Sequence, residues 1–471
     1  MDFTRTIVAA GIVLATALGT PAASLAANPP DQLTDDDSGS GCASVSPVPD
    51  AAADSAAWQS DCDPTGANTD GSIEIFRATE GEAPVQLTDG TACTSSHPSV
   101  SASGDRIAFE SDCDLTTGNA DGNVEIFLWT NGAPAELTQL TNSTGCENHA
   151  PSINGPGTFI AFDSTCNIEG NNNNGRGSEI YRVSSAGVLK QLTVDPNGGT
   201  CDSTSPSIED SGVLVAFDSD CDLVGDNEDL AIEIFTVNAT SLAVRQRTFA
   251  SDGSCSSLRP SMDGDSSVIA FQGDCDFTGN NADGSPEIFT VTVAPSAEFV
   301  QITDSDDGSG CASGEPHMAS SGLALAFSSY CNLNGRNQDG SIEVFQVGLG
   351  NAAGGIMRVS DGSGCSSPAG GISAQGTLVM YDSDCDPVSS NEDGSVEIFR
   401  AAACACGAPA TRKETPTASD AQYALRSAVG TIGCATCECD VNDSTTVTAV
   451  DALLILKFAV GQNVTLDCPV P

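Results

Sequence analysis

The sequence predicts an all-β fold, a seven-bladed β-propeller of four-stranded blades followed by a small helical module. Two observations lead to this prediction. A unit of about 54 residues recurs seven times, and each unit holds short segments with period-2 polarity bounded by Gly, Asn, Asp and Ser. A pair of Cys residues also recurs in every unit, always 20 positions apart. Four-stranded sheets repeated in series close into a propeller.

Four strands are expected in each unit, and in the second unit they lie near "HPSVS", "RIAFES", "VEIFLW" and "AELTQLT". A Gln-Leu-Thr triplet at Gln32 precedes the first complete unit, and none follows the last third strand at Glu397. We therefore expect Gln32–Thr34 to supply the outer strand of the seventh blade. This closure would cover two sheet edges that otherwise promote aggregation.

The Cys spacing predicts one disulfide per blade. A turn lies midway between the two Cys, for example at Ser103, and residues equidistant from a hairpin turn face each other closely enough for a disulfide. Each clip of this size contributes about 3 kcal/mol in the chain-entropy model. Pairing between blades is the alternative. The predicted pairs are Cys42–Cys62, Cys93–Cys113, Cys146–Cys166, Cys201–Cys221, Cys255–Cys275, Cys311–Cys331 and Cys365–Cys385.

Residues 1–26 have the pattern of a secretory signal peptide, and residues 27–401 are assigned to the propeller. Twenty Cys in an exported chain indicate disulfides formed in an oxidising compartment. We expect a secreted protein, extracellular or at the cell surface, with the periplasm as an alternative and no membrane span. With 16 basic and 64 acidic residues the net charge is -48, which excludes nucleic acid as a partner.

An acidic loop follows the second Cys of each unit and has a regular spacing. Asp114, Asn119, Asp121 and Glu125 represent it in the second blade. One interpretation is a tight Asn-x-Asp-Gly turn, in which the Glu accepts backbone amides at the strand end. The other is one Ca²⁺ per blade on hard oxygen ligands. The equivalents are Asp63, Asn68, Asp70, Glu74; Asp222, Asn227, Asp229, Glu233; Asp276, Asn281, Asp283, Glu287; Asn337, Asp339, Glu343; and Asp386, Asn391, Asp393, Glu397.

The units resemble the TolB-type propeller repeat family, on "PSVSASGDRIAFES" from Pro98 and "NVEIF" from Asn123. The resemblance covers roughly residues 28–401 and implies the propeller fold. Members of that family include periplasmic accessory proteins, peptidase substrate filters and a few lyases. Because one fold carries such different activities, the resemblance leaves the function open.

The basic residues that could form a catalytic site are few. His97, His149 and His317 lie in different units and show no catalytic spacing, so we expect each to be a strand-end residue; a His-dependent lyase site is the alternative. Arg176, Arg259 and Arg336 are candidates for contacting a ligand at the mouth of the channel.

The composition changes after the propeller, with a linker at residues 402–416 and a helical module at residues 417–471. "TASDAQYALRSAVG" from Thr417 is echoed by "TAVDALLILKFAVG" from Thr448, and each ends at a helix-stopping Gly. "DVNDSTTVTAVD" resembles a type I dockerin calcium loop. The resemblance implies that Ca²⁺ is held by Asp440, Asn442, Ser444, Thr446 and Asp451, although Ser444 and Thr445 depart from the usual pattern.

Two features of this module stay open. A helix capped by Thr448 and Asp451 without metal is the alternative to the calcium loop, and Cys439–Cys468 is the favoured disulfide. A dockerin implies a cohesin-like protein as partner. Together the features predict a non-catalytic binding or scaffold protein that contains structural Ca²⁺. We expect its propeller face to bind an unknown protein or glycan. A carbohydrate-active enzyme, either a polysaccharide lyase or a glycoside hydrolase, is the alternative.

Overall fold

A computed structural model describes most of the chain from residue 30 onwards. The described residues are 30–35, 41–170, 177–195, 201–250, 253, 255–293, 297–305, 311–333, 337–349, 356–360, 362–388, 391, 394–402, 416–429, 439, 441, 447–462, 464 and 466. The predicted signal peptide and nearly all of the predicted linker lie outside them.

The described residues form seven antiparallel four-stranded sheets, as predicted. The first strands are Ser44–Pro49, Ser95–Val100, Asn148–Ile153, Ser203–Ile208, Ser257–Met262, Ser313–Met318 and Ala369–Ile372. The second strands are Ser55–Ser60, Arg106–Ser111, Phe159–Ser164, Leu214–Ser219, Val268–Gly273, Ala324–Ser329 and Leu378–Ser383. The third strands are Glu74–Thr79, Glu125–Thr130, Glu179–Ser184, Glu233–Asn238, Glu287–Thr292, Glu343–Gly348 and Glu397–Ala402. The outer strands are Val85–Gln86, Glu136–Gln139, Leu189–Gln191, Val244–Gln246, Phe299–Gln301, Met357–Arg358 and, for the seventh blade, Asp31–Gln32.

The ring closes through the N-terminal strand, which confirms the prediction from the Gln-Leu-Thr triplets. Gln32 pairs with Phe399, and Asp31 pairs with Arg400. Arg400 is buried and donates hydrogen bonds to Asp31 at 2.8 Å and to Glu80 of the first blade at 2.9 Å and 3.1 Å. The first strands of neighbouring blades contact each other around the whole ring and therefore surround its axis.

Each blade is packed around one aromatic pair between its second and third strands. The ring centroids of these stacked pairs are 5.6–6.2 Å apart, and all the rings are buried. The blades then pack on each other through aliphatic residues. Ala161 and Ile180 of the third blade, for example, contact the core of the fourth around Phe217 and Phe235. A small number of aromatic residues therefore fills every sheet.

All seven disulfides predicted for the blades are present, with Cα–Cα distances of 5.1–5.4 Å. Each joins the segment before the first strand to the end of the second strand, so the alternative of pairing between blades is wrong. The disulfides thus close the open ends of seven hairpins at one edge of the sheets. They also indicate an oxidising environment outside the cytoplasm.

Two C-terminal helices, α1 at Ala418–Ala428 and α2 at Ala449–Ala459, pack against each other around Ala424 and Ile455. Their N-termini are built alike: Thr417 with Asp420, and Thr448 with Asp451, form capping boxes. Within the described residues no helix is long and apolar enough to cross a membrane.

Candidate functional site

The acidic loops are held by their first Asp and their Asn. Asp63 Oδ1 accepts the backbone amide of Asn68 at 2.8 Å, and the Asn68 side-chain amide donates to the carbonyls of Cys62 and Ser72, both at 2.9 Å. The same arrangement recurs at Asn119, Asn227, Asn281 and Asn391 with their preceding Asp. In the sixth blade, Asn332 takes the place of that Asp. These residues fix the loop between the second and third strands.

The Glu of each loop is buried, and its carboxylate accepts hydrogen bonds from the segment that follows the outer strand. Glu179 Oε2 accepts a hydrogen bond from Thr193 Oγ1 at 2.7 Å, and Glu179 Oε1 accepts the Asp195 amide at 2.7 Å. Burial raises the pKa of Glu179, against the hydrogen bond from Thr193. All seven equivalent Glu side chains are at most 2 % exposed. The hydrogen bonds expected by the turn interpretation are thus present, and the calcium interpretation stays a prediction.

The loop Asp that follows the Asn is exposed where it is described, as at Asp70 and Asp339. Hydrogen bonds from Ser72 and Ser341 lower the pKa of these two carboxyls. Asp393 and the third-blade Asn173 and Gly175 lie outside the described residues.

Within the described part of the chain, the tight clusters of three Cys, His, Asp or Glu ligand atoms combine the two sulfurs of a disulfide with the Asp before its second Cys. Disulfide sulfurs are not thiolates and do not bind metal.

Of the predicted dockerin-like ligands, only Asp451 lies among the described residues. It is fully buried; its Oδ1 accepts the Val441 amide at 3.1 Å, and its Oδ2 accepts the amide and hydroxyl of Thr448 at 2.8 Å and 2.7 Å. Asp440, Asn442, Ser444 and Thr446 lie outside the described residues, as does Cys468. Cys439 is in a disulfide. The calcium loop therefore stays a prediction.

Close to the axis of the ring, one position of the first strand has the same unusual backbone conformation in six blades but carries different types of side chain. The third residue of the first strand has φ between 51° and 57° in six blades, at a β-bulge; these residues are Ser46, His97, Ala150, Ser205, Arg259 and Glu315. We call these six residues and the second-strand side chains that contact them the channel mouth. It lies at the edge of the sheets where the disulfides and acidic loops also lie.

A side chain from the preceding blade accepts the backbone amide at four of these six bulges. The backbone amide of Ala150 donates to Glu110 at 2.8 Å, that of Arg259 to Asp218 at 2.8 Å, and that of Ser46 to Asp382 at 3.0 Å. A left-handed backbone conformation of a non-Gly residue costs energy and is kept where its surroundings enforce it. The channel mouth thus presents six positions with the same backbone conformation and variable side chains.

His97 and His149, from the second and third blades, converge on one carboxylate. Their Nδ1 atoms lie 3.0 Å and 3.5 Å from Glu110 Oε1. Burial alone would raise the pKa of Glu110, but hydrogen bonds from His149 and His97 lower it to about 2. The same hydrogen bonds raise the pKa of both imidazoles. The cluster is therefore an ion-paired triad in weakly acidic solution.

Around the rest of the channel mouth, carboxylates outnumber cations. Burial raises the pKa of Asp163 to about 7 and that of Asp382 to about 6, and it raises the pKa of Asp218 as well. Farther around the ring, Arg259 of the fifth blade contacts Glu315 of the sixth at 3.0 Å, and both side chains are exposed. The mouth therefore holds buried carboxyl groups whose charged forms lack full compensation.

The meeting of His97 and His149 was missed by sequence reasoning, which treated the three His singly. The residues are 52 positions apart, and only the ring brings them together. A usable signal was that both lie in first strands, at neighbouring positions of adjacent units. His317 lies in the sixth first strand, and burial lowers its pKa. Arg259 is at the mouth as proposed, whereas Arg176 and Arg336 lie outside the described residues.

Comparison with known proteins adds support for the fold. No protein-family model and no curated protein matches the chain. Solved structures do. A putative TolB from Agrobacterium tumefaciens is 16% identical over 68% of this chain and 92% of its own, with a TM-score of 0.40. An oligogalacturonate lyase from Vibrio parahaemolyticus is 13% identical over 79% and 93%, with a TM-score of 0.51. One of two prolyl endopeptidases is 10% identical over 77% of this chain and 50% of its own, with a TM-score of 0.51.

The likeness shows the fold alone. The two structures with a TM-score of 0.51 are a lyase and a peptidase at 13% and 10% identity, so no activity follows from them.

Proposed function

We propose that this protein is a non-catalytic binding or scaffold propeller that acts outside the cytoplasm and recognises a positively charged group of a protein partner at its channel mouth. The observation that carries the proposal is the ring of poorly compensated carboxylates there. Asp163 and Asp382 are buried and have raised pKa values, so a bound ammonium or guanidinium would stabilise their charged forms. The net charge of -48 would also attract basic partners.

The test must separate the mouth from the general negative surface. A hexalysine peptide at physiological salt serves as the probe, with hexaglutamate as the negative control. Asp163→Asn should weaken saturable hexalysine binding. Asp105→Asn removes the same charge from an exposed turn at the opposite edge of the second blade and should leave binding unchanged. Equal affinity of the two variants would contradict the proposal.

A carbohydrate-active enzyme is the second candidate, and the triad of His97, Glu110 and His149 favours it. Imidazoles that contact a carboxylate and are themselves exposed, as His97 and His149 are, can transfer protons. Incubation with acidic and neutral oligosaccharides, with and without EDTA, tests this. Turnover that is lost in His149→Gln would replace the binding function with an enzymatic one.

The C-terminal helices would attach the propeller to a cohesin-like protein, with Ca²⁺ as the structural ion of their connecting loop. Their matched capping boxes and mutual packing support a two-helix module. Calcium-dependent capture of the full chain by a cohesin domain, abolished by EDTA, is the expected result.

For localisation, we propose secretion to the medium or the cell surface. N-terminal sequencing of protein recovered from the medium or from the periplasm would test this and would also show whether cleavage follows Ala26.

A further inference from the structure

The loop side chains converge on one point in a way that the spacing did not reveal. In the first blade, the hydroxyl of Ser72 lies 3.3 Å from Asn68 Oδ1, 2.9 Å from Asp70 Oδ1, 2.9 Å from Glu74 Oε1 and 3.0 Å from the carbonyl of Gly90. Four acceptor oxygens therefore surround one hydroxyl, which carries one proton. We call these five oxygens an oxygen cage.

The cage recurs in other blades. Ser341 Oγ lies 3.3 Å from Asn337 Oδ1, 3.1 Å from Asp339 Oδ1, 3.0 Å from Glu343 Oε1 and 3.0 Å from the Gly362 carbonyl. In the fifth blade Ser285 is surrounded by Asn281, Asp283 and Glu287 at 3.0–3.3 Å, and Ser305 Oγ, 3.1 Å away, takes the place of the carbonyl. The shared pattern is Asn-x-Asp-x-Ser-x-Glu.

Two blades that lack the Ser supply an independent observation. Asn123 stands at that position in the second blade and Ala231 in the fourth, and there Asn119 Oδ1 and Asn227 Oδ1 have no hydrogen-bond partner. These two Asn residues are 2 % and 1 % exposed. Their amide nitrogens make the same contacts as that of Asn68, so their oxygens face the position that the Ser hydroxyl takes in the cages of the other blades. A buried acceptor without a donor is unfavourable, and a bound cation would remove that cost.

We propose that each oxygen cage binds one Ca²⁺, with Asn, Asp, Ser and Glu side chains as ligands and a carbonyl or hydroxyl oxygen from the following loop. All the ligands are hard oxygens, and waters on the exposed side of the Asp would complete the six to eight that Ca²⁺ takes. At metal–oxygen distances of 2.3–2.6 Å, neighbouring ligands lie roughly 3 Å apart, which is also the distance from the Ser hydroxyl to each acceptor around it. The Asp directly after the Cys was part of the ligand set predicted from the sequence. In this proposal it is not a ligand, because it accepts the backbone amide of the loop Asn instead.

The disulfide of the following blade supports the cage. A Cβ on Gly90 would lie 2.4 Å from both Cys93 Sγ and Cys113 Sγ, so only Gly fits there. The Gly90 amide donates to Glu74 Oε1 at 2.6 Å while its carbonyl faces Ser72. Gly362 packs in the same way on Cys365–Cys385. The disulfide thus fixes the backbone that supplies one ligand.

Native mass spectrometry of the full mature chain, stripped with EDTA and dialysed against calcium, tests the proposal. We expect at least three bound Ca²⁺, one for each of the fully described cages in the first, fifth and sixth blades. Asp339→Asn should lose one ion, because it removes a charged ligand; this Asp is exposed, so the fold should tolerate the change.

Asp105→Asn is the matched control and should lose none. One ion or fewer per chain, which the C-terminal loop alone would explain, or equal counts in both variants, would overturn the proposal. The count does not depend on hexalysine binding at the channel mouth, so the two proposals can fail separately.

Discussion

Thr248 Oγ1 donates a hydrogen bond to the buried carboxylate of Glu233 and accepts the backbone amide of Ile234 at 2.8 Å. Thr248 lies just after the outer strand of the fourth blade, and Glu233 is the first residue of its third strand. The pair therefore anchors the segment after the outer strand to the sheet. Equivalent contacts join Thr88 to Glu74 and Thr303 to Glu287, and Thr34 to Glu397 where the ring closes.

Replacement of this hydroxyl should be costly. Thr248→Val keeps the shape but leaves the Glu233 carboxylate and the Ile234 amide without their partner, so we expect the free energy of unfolding to fall by about 1–3 kcal/mol. Thr248→Ser is the control and should stay close to the native value, since Ser360 fills this role in the sixth blade. Chemical denaturation measures both. Equal losses in the two variants would indicate that the methyl group matters instead.

Each disulfide should stabilise the fold through its own hairpin. The double variant Cys93→Ala with Cys113→Ala should lower the free energy of unfolding by about 3 kcal/mol, because the open chain regains loop entropy. The corresponding double Ser variant controls for packing and should behave alike. A loss below about 1 kcal/mol would show that the strand pairing alone holds the hairpin closed.

The triad at the channel mouth predicts a pH dependence. Glu110 raises the pKa of His97 and His149 above the usual 6.5, so their contribution to stability is complete below that value and is lost as the pH rises through the raised pKa. The lowered pKa of Glu110 makes its contribution complete above its ordinary value of 4.5, with loss as the pH falls towards about 2. The triad should therefore stabilise most between these two limits.

NMR titration can check this directly, because the chain has three His. Glu110→Gln should lower the pKa of both His97 and His149, whereas His317 should not respond. Unchanged titration of His97 and His149 in this variant would contradict the ion-paired arrangement.

Closure of the ring should depend on Arg400. Its side chain is buried and joins Asp31 of the N-terminal strand to Glu80 of the first blade. Arg400→Met should reduce the free energy of unfolding by about 1.5–3 kcal/mol, the range for hydrogen bonds to charged groups. Asp31→Asn should have a small effect, since this carboxylate is largely exposed. Thermal unfolding in parallel would detect the difference, and equal effects would argue against a central role for the guanidinium.

Much of the fold could be predicted because its determinants are local and repeated. The interval between Cys93 and Cys113 marks a hairpin, and the triplet at Gln32 marks a strand displaced to the other end of the chain. The loop residues could also be named in advance. Their convergence on Ser72 could not, since the Gly90 carbonyl arrives from a separate segment and Ser72 carries no distinctive signal in a loop rich in polar residues.

The sequence by itself determined the number of blades, their order, the seven disulfides and the way the ring closes, because each depends on a short pattern that recurs at a fixed interval. The tertiary structure decided which chemistry these patterns bring together. His97, Glu110 and His149 meet because neighbouring blades place their first strands side by side around one axis. The Gly90 carbonyl reaches Ser72 because this glycine packs against the next disulfide. Such contacts join distant parts of the chain, and no local periodicity encodes their distances.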